Sequence, residues 1–291
     1  MRFRLLCAVL AAAPVMTGLA AAPQREVVQK TALVTVVAEA RGPVADLGAR
    51  DFVVREDRAT RDVLDARPAT EPIFVTLLID TIRPPAGILA PTQDYRRGVA
   101  AFVSTLKAGN PDAQIAILDY AGAPVTAVDF TSEAPTLERF IQRLFPNRQA
   151  DAVVAEAVVE GAKKLGDKPS PRRAIVIVDF NWRDSSSVES MQQAEQIVHR
   201  AGASVWTVSV RTNSSSSNNR EEVLNAVTRS SGGRRLTIVE QSGLESALKS
   251  VANSLLSQYT VTFTRPVGAT VKSTQMETAK GGRVLMTPWM R

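Results

Sequence analysis

Apolar and polar positions change period twice along this chain. Between residues 27 and 70, "ALVTVVAEA", "DFVVRED" and "RDVLDAR" are β-branched or set apolar against polar residues every second position, which predicts strands. From Ile73 to Gln258, short apolar runs alternate with 3.6-residue patterns. The runs "IFVTLLID", "AQIAILDY", "RRAIVIVDF", "GASVWTVSV" and, more weakly, "RRLTIV" predict strands. The first and third are nearly continuous in apolar residues, as in strands covered on both faces. Between them, Tyr95, Val99, Phe102, Val103 and Leu106 share one helical face. Leu137, Phe140, Ile141 and Leu144 share another. Further faces are Val154, Ala157, Val158, Ala162 and Leu165, then Ile197, Val198 and Ala201, then Leu244, Leu248, Val251 and Leu255.

Strand–helix alternation predicts an α/β fold, a doubly wound and mostly parallel sheet with helices on both faces. After Gln258 the period returns to two in "YTVTFTRP" and "GRVLMT". Neither end of the chain has enough strands to bury its own apolar faces. Residues 27–70 and 259–291 are therefore expected to pack as one small β module built from both chain ends, beside an α/β domain over 71–258. The stretch "NSSSSNN", 213–219, reads as a low-complexity loop.

The first residues, "MRFRLLCAVLAAAPVMTGLAAAPQ", have the layout of a secretory signal: basic start, short apolar middle, small-residue exit. Residues 1–22 are read as that signal, with an uncleaved anchor as the alternative. Pro14 and Gly18 interrupt the apolar run, so a stable membrane span is not expected. The mature chain is expected to be secreted or periplasmic. The single cysteine, Cys7, falls inside this segment, so disulfides and cysteine metal ligands are excluded from the rest. The formal charge of +6 is scattered along the sequence. It forms no Lys/Arg stripe of the kind nucleic acid selects, and no nucleic-acid partner is expected.

Ligands of open α/β sheets bind beyond the carboxyl ends of the strands. Asp80, Asp119, the Asp151 region and Asp179, the last followed by "FNWRDSSS", fall there. No Gly-x-Ser-x-Gly, P-loop or Gly-x-Gly-x-x-Gly is present. His199, the only histidine, stands near a helix end, which suits an exposed imidazole. Ser185, Ser186 and Ser187 suit a helix cap rather than a nucleophile. No catalytic residue, enzymatic activity or cofactor is expected.

In order and spacing these segments resemble the von Willebrand factor type A domain, most nearly the secreted bacterial VWFA-related proteins. "DFVVRED" stands where that branch has F-x-V-x-E-D. "VTLLID" and "AIVIVDF" resemble the first and fourth strands. "SSGGRRL" and "LESALKSVANSLLSQYTVTFTRP" resemble the Gly-Gly turn, last helix and following strand. The resemblance implies a metal site made from Asp-x-Ser-x-Ser, a threonine and a second aspartate. Asp80 and Asp179 match it. Ile82 and Pro84 replace the serines, and Ala152 falls near the threonine position. Mg²⁺ wants six oxygens in tight geometry, so the resemblance implies a degenerate site holding no metal.

Two readings of the remaining carboxylates stay open. Arg83 bridges Asp80 and Asp179 where the metal would sit, or both aspartates accept backbone N–H bonds at their turns. The loops 82–91 and 180–186 carry Ile82, Ile88, Leu89 and Trp182 beside Arg83 and Arg183. This is a composition suited to a metal-independent protein contact. Two rivals are an envelope scaffold without a ligand there, and a hydrolase, which lacks a nucleophile, a second base and a metal.

Overall fold

The computed structural model describes residues 26–38, 42–84, 91–180, 183–211 and 218–291. The signal segment and the candidate contacts Ile88, Leu89 and Trp182 lie outside these residues, as does most of 213–219. In chain order the first strands are β1 (Val27–Ala38), β2 (Gly42–Pro43), β3 (Phe52–Glu56), β4 (Ala59–Arg61) and β5 (Val63–Pro68). The alternating part follows: β6 (Phe74–Ile79), α1 (Thr92–Gly109), β7 (Gln114–Asp119), β8 (Val125–Thr131), α2 (Ala134–Arg143), α3 (Val154–Gly166), β9 (Arg173–Asp179), α4 (Val188–Ala201), β10 (Ser204–Val210), α5 (Asn218–Ser230), β11 (Arg235–Ile238) and α6 (Leu244–Leu256). The last strands are β12 (Gln258–Pro266), β13 (Thr274–Thr278) and β14 (Arg283–Met290).

A six-stranded sheet has the order β11-β10-β9-β6-β7-β8. Its neighbours run parallel except β7 and β8, which are antiparallel. Every residue of β6 and β10 is buried, so apolar side chains leave both faces of these central strands into covered space. Thr76 meets this condition by donating its hydroxyl to the Gly161 carbonyl of α3 at 3.3 Å. On α1, Gly98 lets the helix sit directly against Leu244 and Leu248 of α6.

Two elements are absent from the sequence expectation. β8 alternates as "VTAVDFT", but it is an edge strand with no fully buried residue, so its apolar signal is diluted. α5 begins beside the low-complexity run and has a low mean of apolar residues. Among its described side chains the buried ones are Arg220, Val223, Leu224, Val227 and Thr228. These are i, i+3, i+4, i+7 and i+8, a helical face whose first member is charged.

A second sheet joins both ends of the described chain: β14-β1-β12-β5, with β2 added on β1. It is antiparallel; Val34 lies opposite Tyr259 on one side and Met286 on the other. A third sheet, β13-β3-β4, covers it. Ala32, Val34, Val36, Phe52, Val54, Tyr259, Val261 and Phe263 form a core of their own. The alternation in "DFVVRED" is legible there: Phe52 and Val54 enter the core, and so does Glu56. A buried carboxylate is costly unless paired. Glu56 is met by Arg61 Nε at 3.0 Å and Arg265 Nε at 2.9 Å, which ties β3 to β4 and β12. Asp57, at φ 46°, then accepts the backbone N–H groups of Lys272 and Ser273 at 3.0 and 2.9 Å.

Buried Arg172 fastens the last helix to the loop before β6. It donates to the carbonyls of Leu255 (2.7 Å) and Glu71 (2.9 Å) and to Gln258 Oε1 (3.2 Å). Burial lowers its pKa to about 10, which leaves it charged at neutral pH.

Candidate functional site

The carboxyl ends of β6, β7 and β9 bring Asp80, Asp119 and Asp179 to one edge of the six-stranded sheet. Asp80 and Asp179 are both fully buried. The backbone N–H of Asp80 donates to Tyr95 Oη at 2.7 Å, and its Oδ1 accepts the backbone N–H of Ile82 at 2.9 Å. Its Oδ2 has no hydrogen-bond partner among the described residues. Tyr120 closes the floor, donating to the Val178 carbonyl at 2.8 Å. The reading in which the strand-end aspartate accepts a local backbone N–H holds for Asp80.

Asp179 is held differently. Its Oδ2 accepts the Ser209 hydroxyl at 2.9 Å, and its Oδ1 accepts the Arg220 guanidinium. Arg220 is fully buried and also lies 3.6 Å from Asp184 Oδ2. Arg235 stands behind: its Nη2 lies 3.7 Å from Asp179 Oδ2 and donates to Glu221 Oε1 at 2.9 Å, and its Nη1 donates to Glu221 Oε2 at 2.6 Å. The cage is therefore carboxylates of β6, β9 and the following loop around a guanidinium from α5.

The expected neutraliser was Arg83, and the structure corrects this. Arg83 is exposed, and its backbone N–H donates to the Arg148 carbonyl at 2.8 Å. Arg220 takes the role because α5 lies across β10 and aims its first turn at the strand ends. The signal lies in the spacing of Arg220 with Val223, Leu224 and Val227, where a charged residue opens an otherwise apolar buried face.

Electrostatics follow from this geometry. Burial pushes the Asp80 carboxyl up, to about 7; Asp179 and Asp119 add to the rise, and Arg220 and the Ile82 N–H oppose it. Burial alone would lower the Arg220 guanidinium, but Asp179, Tyr120, Asp80 and Asp184 outweigh it and keep it charged.

The loops above the cage are laced by backbone bonds. Ile82 and Arg148 form a parallel bridge, and Ala152 bridges to Ala121 and to Asp184. Asp184 accepts the N–H groups of Val154 (3.2 Å) and Ser186 (2.9 Å), and Ser186 Oγ accepts from Ala155 (3.0 Å). Ser187 caps α4 through Ser190. His199 is exposed in the last turn of α4.

A second correction concerns Ile82. It was expected as an exposed contact, but it is 6 % exposed and belongs to the main core. The bridge to Arg148 pulls the chain inward just before Pro84. Arg83 and Arg183 are exposed at this edge, with the Arg183 side chain 83 % accessible and 3.2 Å from Asp151.

The donor set can be tested against a hard cation. Such an ion needs about six oxygens around it. Ile82, Pro84 and Ala152 supply no side-chain oxygen, and Asp179 is already paired with a buried guanidinium. These residues do not fit a cation of that kind. Among the described residues no group of three or more His, Cys, Asp and Glu side chains is close enough to hold a metal.

Comparison with solved structures now places the fold. A von Willebrand factor type A structure from Catenulispora acidiphila superposes with a TM-score of 0.52 at 11% identity, covering 80% of this chain and 51% of that one. The PilB minor pilin from Streptococcus sanguinis gives 0.52 at 9%, covering 81% and 88%. No family model matches the chain, and no curated protein matches its sequence. The mixed α/β fold is that of a von Willebrand factor type A domain, with antiparallel sheets added to it.

Proposed function

We propose that this is an exported type A module that captures a protein partner through loops at the carboxyl edge of its six-stranded sheet, without a metal. The doubly wound α/β domain over 71–258 does the binding, and 27–70 with 259–291 form the β module that carries it. The observation that carries the reading is the Arg220 guanidinium among Asp179, Asp184 and Asp80. A built-in cation in that position makes an external one redundant and leaves the rim for contact. Arg83 and Arg183 project from that rim, and Trp182 precedes Arg183 in the sequence. Arg and Trp are the residue types that dominate interface energetics.

The test is capture from an envelope extract on immobilised mature chain, with and without EDTA. Trp182→Ala should weaken capture about thirtyfold, since a desolvated Trp anchor contributes on the order of 2 kcal/mol. Arg183→Ala should weaken it less, because its ion pair is exposed. Lys249→Ala, on exposed α6 surface, should leave it unchanged. EDTA should have no effect. Equal capture by all variants would favour a scaffold with contacts elsewhere, and loss in Lys249→Ala alone would move the partner to the helical face.

A further inference from the structure

A cavity of about 260 Å³ lies where α5, the start of β11 and β14 meet. Its wall carries Arg229, Arg234, Arg235 and Arg283, with Asn225 and Thr228 beside them, and no acidic residue. The "SSGGRRL" turn builds it. A Cβ on Gly232, at φ 68°, would stand 2.0 Å from the Met286 carbonyl oxygen, and one on Gly233 would stand 1.7 Å from that of Val205. Two glycines are required for the turn to seat against β14 and β10 together. That seat delivers the next two residues, both arginines, to the seam.

The four arginines are not equivalent. Arg235 is committed to Glu221, Ser209 and Asp179. Arg229, Arg234 and Arg283 form no ion pair among the described residues; Arg229 Nε donates only to the Asn225 carbonyl, at 3.3 Å. Like charges gathered in a concave wall repel each other and raise the positive potential inside it. Guanidinium forks match the oxygens of phosphate and bind them bidentately. The volume lies below the roughly 300 Å³ at which drug-sized pockets begin, so the group that fits is compact.

We propose that this arginine-lined cavity binds the phosphate group of a small phosphorylated ligand. The site is independent of partner capture at the sheet edge. Soluble phosphoesters and lipid headgroups share this chemistry, and the experiment separates them. Inorganic pyrophosphate is titrated calorimetrically into the full mature chain at low salt. Sedimentation with phosphatidylglycerol vesicles, against phosphatidylcholine vesicles, forms the second arm. The variants are Arg234→Gln with Arg283→Gln, the same pair to Lys, and Arg200→Gln as an exposed control on α4.

Saturable pyrophosphate binding should weaken at least about tenfold in the double Gln variant and several-fold in the double Lys variant, which keeps charge but loses the fork. Arg200→Gln should match wild type. The same arginine dependence on phosphatidylglycerol vesicles alone would support the site and name the headgroup as its source. Absence of saturable binding in both arms, or binding equal in wild type, both double variants and the control, would overturn the proposal. Thermal unfolding of each variant accompanies the titrations; the double Lys variant keeps the test open should the Gln pair unfold.

Discussion

Arg220→Met is expected to cost about 3–5 kcal/mol of folding stability, the range for breaking a buried ion pair from one side. The reason is what stays behind. Asp179 and Asp184 have side chains 0% and 3% exposed, and Asp80 is buried beside them. Without the guanidinium, three carboxylates share a dry site with only Arg235, at 3.7 Å from Asp179 and already bound to Glu221. Arg220→Lys should recover part of the loss, because a point charge neutralises but cannot fork across Asp179 and Asp184. Combining Arg220→Met with Asp179→Asn should cost less than the two changes added, since each removes the partner of the other. Urea unfolding of wild type, the three single variants and the double variant measures this. A loss under about 1 kcal/mol in Arg220→Met would mean that the cage is solvated and the pair is a surface one.

Stability should also fall as pH rises from about 4 to about 7, by up to about 4 kcal/mol, and level off above that. The cause is Asp80. Its folded pKa, about 7, lies above the ordinary carboxylate value of 3.8, chiefly through burial. Between those values the unfolded chain has released the proton and the folded chain retains it. The folded state therefore binds more protons there, and raising pH favours unfolding. The groups around it are Arg220, Asp179, Asp119, Tyr95 and Tyr120. Asp80→Asn cannot charge and keeps an oxygen for the Ile82 N–H, so its stability should be flat over this interval and exceed wild type at pH 8. Chemical denaturation at pH 5, 6, 7 and 8 separates the outcomes. Equal slopes in wild type and Asp80→Asn would assign the pH dependence to other groups.

The sequence carried the α/β alternation well, for a physical reason. Strands such as Phe74–Ile79 are buried on both faces, so nearly every position must be apolar. It carried the two strand-end aspartates too, because a carboxylate closing an apolar run is a sharp break in pattern. It did not carry their partner. Arg83 is close in sequence, whereas ion pairing follows closeness in space, and Arg220 lies 41 residues beyond Asp179. A proline-rich loop suggests exposure for Ile82, which is buried. Its burial depends on a bridge to Arg148 that no local pattern encodes. β8 was missed because an edge strand need bury little.

The same geometry separates this chain from what its resemblance implies. The resemblance implies an external cation at the carboxylates, whereas here the Arg220 guanidinium of α5 is paired with Asp179 and Asp184. Titration of Mg²⁺, Mn²⁺ and Ca²⁺ into the chelated protein by calorimetry tests that account most directly. The account predicts no binding tighter than about millimolar in wild type, because Arg220 pairs with Asp179 and Asp184, and Ile82, Pro84 and Ala152 offer no side-chain oxygen. A micromolar event in wild type that disappears in Asp80→Ala would contradict it.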